Sequence, residues 1–361
     1  MGALKKAVKV VFINAGVLVL LFVLVEGLAS TTIIAYRVFT GRGVAEQDHS
    51  RYDETLGWVA LPNVNLPEHY GPGAYLRTNA QAFRNDHDIT RATPPGKTRI
   101  ICSGDSFTLG FGVSNEQAWC QRLVAIDPRL ETVNMGQGGY GVDQAYLWYM
   151  RDGAPLDHQL LLFGFITDDF DRMQTERFLG YGKPVLALRG DSIMVTNHPV
   201  PKTSWFTRWR AAHGHAITNL LFIQLGYKIA GRLSSSKAPA VASDSVNARE
   251  QRTRAVAAKI FENLARVTRD KNARLVLVHL AGPGDYRRND ATTRWQRFVH
   301  DEAARQGIPV VDLVETFRRV PPTEINDLFA PNSHYSVKGN EFVANTLYKE
   351  LVPILGISRE K

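Results

Sequence analysis

Hydrophobic and polar positions alternate along most of this chain between short apolar runs and longer stretches with helical spacing. The apolar runs predict strands at 99–102, 131–134, 160–165, 274–279 and 309–311. The stretches with helical spacing predict helices at 116–126, 142–150, 248–271, 292–306 and 337–351. Strands separated by helices form parallel βαβ crossovers, so the pattern predicts an α/β fold with a central parallel sheet of about five strands between helical layers.

Two segments depart from that alternation. Residues 40–98 form an irregular lead-in that contains Pro and Gly, as in "HYGPGAYLRTNAQAFRND", and its apolar residues predict packing on the main domain, 99–361. Residues from about 171 to 249 are interpreted as an insertion, with a hairpin in "KPVLALRGDSIMVTN" and an apolar helix in "HAITNLLFIQLGYKIAGRL". That helix fits a membrane surface and a packed position on the domain about equally well.

The N-terminal segment is apolar from Val10 to about Ile34 and follows three lysines among the first nine residues. About 20 apolar residues suffice to cross a bilayer, and preceding lysines favour a cytoplasmic N-terminus. We therefore predict that residues 1–39 are a cytoplasmic start and a transmembrane signal anchor, with the rest outside the cytoplasm. A cleaved signal peptide is the alternative, since residues 28–30 suit a cleavage site, but the apolar stretch is long for one.

Composition narrows the function classes. The 361 residues are 44% hydrophobic with a net charge of +8, and the basic residues are scattered, which argues against a nucleic-acid-binding arm. Neither a dinucleotide nor a phosphate-loop fingerprint is present, and Cys102, Cys120 and the pair His213 and His215 lack metal-site spacing, so we predict no cofactor and no metal. The cysteines are interpreted as buried thiols, with a disulfide as the alternative.

The candidate nucleophile is Ser106, which directly follows the first predicted strand in "ICSGDSFTLGFGV". A serine there can present its hydroxyl at the sheet edge while its N–H, at a helix start, faces a developing oxyanion. Taken alone, the same residue is better explained as a helix N-cap.

The other strand ends alter that balance. A glycine-rich turn, "NMGQGGYG", follows the second strand, Thr167 and Asp168 follow the third, and His334 precedes the last helix. The carboxyl ends of parallel strands lie at one edge of a sheet. A hydroxyl, a glycine N–H, a polar side chain and an imidazole would meet there, and together they can perform acyl transfer. His279, at another strand end, is interpreted as a core histidine.

We call these four strand-end segments blocks: the first contains Ser106, the second Gly139, the third Thr167 and Asp168, and the fourth His334. In this order, the blocks resemble the SGNH hydrolase (GDSL-type esterase/acyltransferase) family over roughly residues 99–351. The lead-in with "PPGKTRIICSGDSFTLGFGV" resembles its membrane-anchored bacterial branch. The resemblance implies a flavodoxin-like three-layer sandwich. It also implies Ser106 as the nucleophile, His334 as the base and Gly139 as an oxyanion donor.

Two positions depart from the family pattern. Asp168 stands where the family has an asparagine that donates to the oxyanion, so a protonated Asp168 or Thr167 would have to substitute. Pro331 stands where the family has an aspartate three residues before the histidine. Asn332 and the more distant Asp327 are then the candidates for orienting His334.

The resemblance implies an extracytoplasmic, membrane-tethered serine esterase or O-acyltransferase that works through an acyl-enzyme. Its substrate would be an acylated carbohydrate or small ester, such as O-acetyl groups of a cell-envelope or exported polysaccharide. The alternative is a catalytically degenerate protein of this fold that binds glycan or scaffolds an envelope biosynthesis complex.

Overall fold

The computed structural model describes residues 2–40, 48–205, 207, 241–286 and 290–356. Contacts divide the chain into two units, residues 1–45 with 204–242 and residues 46–203 with 243–361. The predicted insertion falls partly outside the described residues, including the apolar helix and the two histidines of residues 213 and 215.

The first unit contains the long N-terminal helix α1, Gly2–Thr40. Its window Lys9–Leu28 has a mean hydropathy of 2.5, and none of the side chains described in it is buried. By length and composition this window can cross a bilayer, although a signal sequence has the same properties.

The second unit contains thirteen strands in its described part. The strands are β1 Ser50–Asp53, β2 Gly57–Ala60, β3 Asn65–Leu66, β4 Leu76–Arg77, β5 Thr98–Gly104, β6 Leu130–Gly136, β7 Leu160–Phe165, β8 Arg177–Phe178, β9 Tyr181–Gly182, β10 Leu186–Arg189, β11 Ser192–Val195, β12 Arg274–His279 and β13 Val310–Asp312. The further helices are α2 Ser106–Leu109, α3 Trp119–Ile126, α4 Val142–Trp148, α5 Asp168–Arg172, α6 Val241–Asp270, α7 Asp290–Gln306, α8 Leu313–Arg318, α9 Pro322–Ile325 and α10 Val337–Leu355. The predicted hairpin is present as β10 and β11, which pair through Arg189 and Ser192.

Five of the strands form one parallel sheet in the order β13-β12-β7-β5-β6. After β5 the chain forms β6, which pairs with one side of β5. It then returns to form β7, which pairs with the other side of β5. The strand order therefore reverses at β5, and a crevice opens beyond the carboxyl ends of β5 and β7. The predicted α/β fold with five parallel strands is confirmed.

Alternating strand residues build two cores, one on each face of the sheet. Ile101 and Phe163 pack into one cluster, whereas Ile100 and Leu162 pack into the other, and all four are fully buried. A strand buried on both faces reads as a continuous apolar run, which is why the sequence pattern located these strands well.

The two cysteines are paired, so the interpretation of buried thiols is corrected. Cys102 on β5 and Cys120 on α3 form a disulfide, with Cα atoms 6.4 Å apart. Helix α3 packs mainly on the neighbouring strand β6, and its first turn lies close enough to β5 for a disulfide to bridge the two backbones. The disulfide therefore links β5, the strand that leads to Ser106, to helix α3.

The lead-in contacts the glycine-rich turn that follows β6. Trp58 is fully buried, and its indole Nε1 donates to the Gly138 carbonyl at 3.1 Å. The Tyr140 hydroxyl donates in return to the Trp58 carbonyl at 2.5 Å. The lead-in therefore supports one of the candidate blocks directly.

Candidate active site

The sharp turn from β5 into α2 places Ser106 at the first position of the helix. A Cβ at Gly104 would lie 2.3 Å from Thr108 Oγ1 and 2.6 Å from the Gly164 carbonyl, so only glycine fits there. Asp105 is the N-cap, because its Oδ1 accepts from the Phe107 N–H at 2.9 Å. The capping role that the sequence favoured for the serine belongs to its neighbour, and the Ser106 hydroxyl is left for another partner.

That partner is His334, in the loop before α10. Its Nε2 lies 2.8 Å from Ser106 Oγ, across 228 residues of sequence. Its Nδ1 lies 3.0 Å from the backbone carbonyl of Asn332. A carbonyl can only accept, so Nδ1 carries the proton and Nε2 is the acceptor that faces the serine hydroxyl.

The two residues proposed to orient His334 are placed differently. Asn332 acts through its backbone carbonyl, and its side-chain Oδ1 accepts from the His334 backbone N–H at 3.1 Å. Asp327 is exposed and accepts from Lys338 Nζ at 3.0 Å. The expectation that the loop brings Asp327 to the imidazole is therefore wrong, because His334 Nδ1 contacts the Asn332 carbonyl and the Asp327 carboxylate pairs with Lys338.

The loop after α2 holds the histidine ring in place. The rings of Phe107 and Phe111 lie 4.8 and 4.6 Å from the His334 ring, centroid to centroid. Gly112 has φ +92°, and a Cβ on it would lie 2.5 Å from Asn332 Nδ2. The loop thus contacts both the imidazole and the residue that fixes its tautomer.

Arg84 of the lead-in clamps that loop, a role that sequence reasoning missed. The guanidinium is buried and donates to the carbonyls of Leu109, Gly110 and Val113 at 2.5, 2.6 and 2.5 Å. Its Nε donates to Asn115 Oδ1 at 2.9 Å. Burial lowers the pKa of Arg84. Its partners are mainly backbone carbonyls, which leave no signal in a single sequence.

Two backbone N–H groups in the serine turn and the glycine-rich turn are available as donors. Among the described residues, the N–H groups of Ser106 and Gly139 have no acceptor. Gly139 has φ +76°, and a Cβ there would lie 2.6 to 2.8 Å from Leu179 and Phe178. The Gln137 N–H donates to the Gly104 carbonyl at 3.1 Å, which ties the glycine-rich turn to the turn that carries the serine.

The third block places its two candidates in different surroundings. Thr167 Oγ1 lies 3.3 Å from Nε2 of His279, a fully buried core residue as the sequence predicted. Asp168 lines the same cleft as His334. Desolvation raises the pKa of the Asp168 carboxyl, and the carboxylates of Asp285 and Asp105 add to this effect.

Arg172, at the end of α5, is a second residue that the sequence did not reveal. Its Nη1 donates to Asp105 Oδ2 at 3.1 Å, to Asp169 Oδ1 at 2.5 Å and to the Tyr140 carbonyl at 3.1 Å. One guanidinium therefore joins the serine turn, the glycine-rich turn and the third block.

A cleft of about 610 Å³ opens beside the Ser106–His334 pair. Its lining includes Phe107, Thr167, Asp168, Arg172, Asp285 and His334. Ser106 itself is 5% exposed, and its neighbour Phe107 and its partner His334 line this cleft. Within the described residues, no group of His, Cys, Asp and Glu side chains could hold a metal ion.

Activity should depend on pH through His334. Desolvation lowers the pKa of this imidazole below its ordinary 6.5, and the Arg172 charge acts in the same direction, outweighing Asp105 and the Asn332 carbonyl. The base must be neutral, so kcat/KM should fall as pH falls through that lowered pKa. We expect the acid limb of a p-nitrophenyl acetate profile to have its midpoint below 6.5. A midpoint at or above that value would contradict this environment.

Comparison with known proteins finds neither a matching family model nor a matching curated protein. Several solved structures are similar to the chain. An acetyl xylan esterase is 13% identical and covers 70% of this chain and 99% of its own, with a TM-score of 0.40. A GDSL-like lipase from Bacteroides thetaiotaomicron is 11% identical over 74% and 93%, with a TM-score of 0.40. A member of the lipolytic protein G-D-S-L family from Veillonella parvula is 13% identical over 70% and 97%, with a TM-score of 0.39.

Proposed function

We infer that the chain belongs to the SGNH hydrolase family and is a serine esterase or O-acyltransferase that works through an acyl-enzyme. The observation that carries this proposal is the 2.8 Å contact between Ser106 Oγ and His334 Nε2. The Asn332 carbonyl holds the imidazole in the tautomer that this contact requires.

The first half-reaction uses these groups as nucleophile, base and donors. Ser106 Oγ attacks the acyl carbon of the ester while its proton moves to His334 Nε2. The carbonyl oxygen becomes an oxyanion, which the N–H groups of Ser106 and Gly139 stabilise. His334 then delivers its proton to the leaving alcohol oxygen, and the acyl group remains on Ser106.

The second half-reaction reverses these roles. A water molecule or a sugar hydroxyl gives its proton to His334 Nε2 and attacks the acyl carbon, and Ser106 leaves with that proton. Water as the acceptor yields hydrolysis, and a sugar hydroxyl yields transfer. The Asn332 carbonyl preserves the tautomer but lacks a full negative charge, so it stabilises the imidazolium less than a carboxylate does.

The proposed substrate is an acylated carbohydrate, such as an O-acetylated cell-envelope or exported polysaccharide, outside the cytoplasm. The cleft lining includes the polar side chains of Asp168, Arg172 and Asp285, which can form hydrogen bonds with the hydroxyl groups of such a substrate. The apolar window in α1 supports membrane tethering, and the Cys102–Cys120 disulfide is typical of an oxidising compartment. Protease added outside spheroplasts should therefore digest the second unit, and protection of that unit would contradict this location.

A second candidate function is a non-catalytic glycan-binding or scaffolding protein of an envelope biosynthesis complex. Asp168 favours it, because a carboxylate in the cleft would repel an oxyanion. This candidate requires no reactive serine.

A serine-directed phosphonate separates the two functions. The full chain in detergent micelles should become labelled, with the label on the peptide that contains Ser106. Labelling should disappear in Ser106→Ala and persist in Ser192→Ala, a matched change at an exposed serine on β11. A folded wild-type protein that resists labelling would contradict the esterase and favour the binding protein.

A further inference from the structure

This site lacks the asparagine side chain that donates to the oxyanion in the family pattern, because Asp168 stands at that position. In the third block, the Thr167 hydroxyl is engaged with His279 at 3.3 Å. Asp168 is a carboxyl group, which donates only when protonated. Without another donor, only the N–H groups of Ser106 and Gly139 would stabilise the oxyanion, whereas the family pattern includes a third donor from a side chain.

Arg172 lies one helical turn after Asp168 and lines the same cleft as His334. Asp105 Oδ2 is shared, because it lies 3.1 Å from Arg172 Nη1 and 3.4 Å from Ser106 Oγ. The guanidinium therefore stands next to the nucleophile, with a single carboxylate oxygen between them.

The same guanidinium also adjoins the glycine donor. Its Nη1 donates to the carbonyl of Tyr140, the residue that follows Gly139. Its Cζ lies 5.3 Å from the centre of the Phe178 ring, and a Cβ on Gly139 would lie 2.7 Å from the same ring. Arg172 is thus fixed against both turns that carry the backbone donors.

Only one of the three guanidinium nitrogens is used by the described protein groups. Nη1 makes all the contacts to Asp105, Asp169 and Tyr140, while Nε and Nη2 have no acceptor in the described part of the chain. The side chain is 15% exposed. Three N–H groups therefore remain on a side chain that borders the cleft.

The surrounding carboxylates keep the guanidinium ionised. Burial opposes its charge, but the carboxylates of Asp169 and Asp105 outweigh this and raise the pKa of Arg172. Arg172 therefore remains a charged donor beside the cleft.

We propose that Arg172 is a catalytic residue whose Nε and Nη2 edge supplies the third oxyanion donor in place of the missing amide. This inference rests on the proposed esterase function. As the Ser106 Oγ–carbon bond forms, the carbonyl π electrons move onto oxygen, and Arg172 donates hydrogen bonds to that oxygen without giving up a proton. The serine proton still goes to His334.

The structure offers one competing role for Arg172, which is to neutralise Asp105. An unpaired Asp105 carboxylate 3.4 Å from Ser106 Oγ would itself disfavour an oxyanion. Replacing Asp105 with asparagine removes that charge and keeps a residue able to cap α2. The two roles are therefore separable in a double variant.

The test measures kcat and KM for p-nitrophenyl acetate with the full chain in detergent micelles. Arg172→Met should lower kcat by about 10²- to 10³-fold, as expected for loss of an oxyanion donor, with little change in KM. Adding Asp105→Asn should not restore kcat, so the double variant Arg172→Met/Asp105→Asn should be as slow as Arg172→Met. Arg266→Met is the matched control, since Arg266 is an exposed helical arginine that pairs with Asp270 on the same helix.

A wild-type-like kcat in Arg172→Met, or recovery in the double variant, would overturn the donor role. If Arg172→Met does not fold, Arg172→Lys serves instead. It keeps the charge but not the planar edge, and we expect about a 10-fold or greater fall in kcat. Wild-type protein without Ser106-dependent turnover would overturn the proposed function and this inference with it. Unchanged kcat in the arginine variants overturns this inference alone.

Discussion

Replacing Ser106 with alanine is expected to lower kcat/KM for p-nitrophenyl acetate by about 10³-fold or more. The variant loses the oxygen that His334 Nε2 contacts at 2.8 Å, while the N–H groups of residues 106 and 139 stay in place. The residual rate should therefore reflect oxyanion stabilisation of direct attack by water. Steady-state hydrolysis by the full chain in detergent micelles measures this change, with Ser192→Ala as the control.

The same experiment shows whether the serine and the histidine act as one unit. His334→Ala alone should cost nearly as much as Ser106→Ala, and the double variant should be no slower than the slower single variant. Single effects that multiply in the double variant would mean that Ser106 and His334 act in separate steps. That result would contradict proton transfer across the observed contact.

Arg84→Met is expected to lower the free energy of unfolding by about 3 kcal/mol or more. The variant leaves the carbonyls of Leu109, Gly110 and Val113 and the Asn115 side chain without their buried donor, and each unsatisfied group costs about 1 to 3 kcal/mol. Methionine fills the volume but donates nothing. A urea titration of the detergent-solubilised chain, followed by tryptophan fluorescence, measures the shift in midpoint.

Arg77→Met is the matched control in the same lead-in. Arg77 is exposed, and its Nε donates to the Asn65 side chain at 2.9 Å, so its loss should shift the midpoint little. At temperatures where Arg84→Met stays folded, its kcat should still fall, because the released loop carries Phe111 against the His334 ring. Arg84→Met with wild-type stability and kcat would show that the loop holds its position unaided.

Local sequence patterns were sufficient for the five strands of the parallel sheet and the main helices between them, but not for the short strand pairs β1–β2, β3–β4 and β8–β9. The sheet strands are buried on both faces, so their apolar runs are continuous, and the intervening helices have their own spacing. The positions of Ser106 and His334 at loop ends could also be read from the chain, because glycines and polar residues interrupt those runs. These signals are local, and each depends on a few neighbouring residues.

The hydrogen-bond partners of His334 and Arg84 could not be predicted from local sequence patterns. The imidazole is oriented by the Asn332 backbone carbonyl. Every residue has such a carbonyl, so the sequence predicted only the side chains of Asn332 and Asp327 for this role. Arg84 likewise binds mainly backbone oxygens of a distant loop. Backbone acceptors carry no residue identity, and their use depends on how the loops are folded.

Only the tertiary structure determined which distant groups share a charge or a bond. Arg172 meets Asp105, Asp169 and Tyr140 because three strand-end turns converge at one edge of the sheet. Cys102 and Cys120 pair because the fold brings the first turn of α3 next to β5. The strand pattern records burial, a property of each position, whereas these contacts depend on the relative placement of segments, which burial alone does not specify.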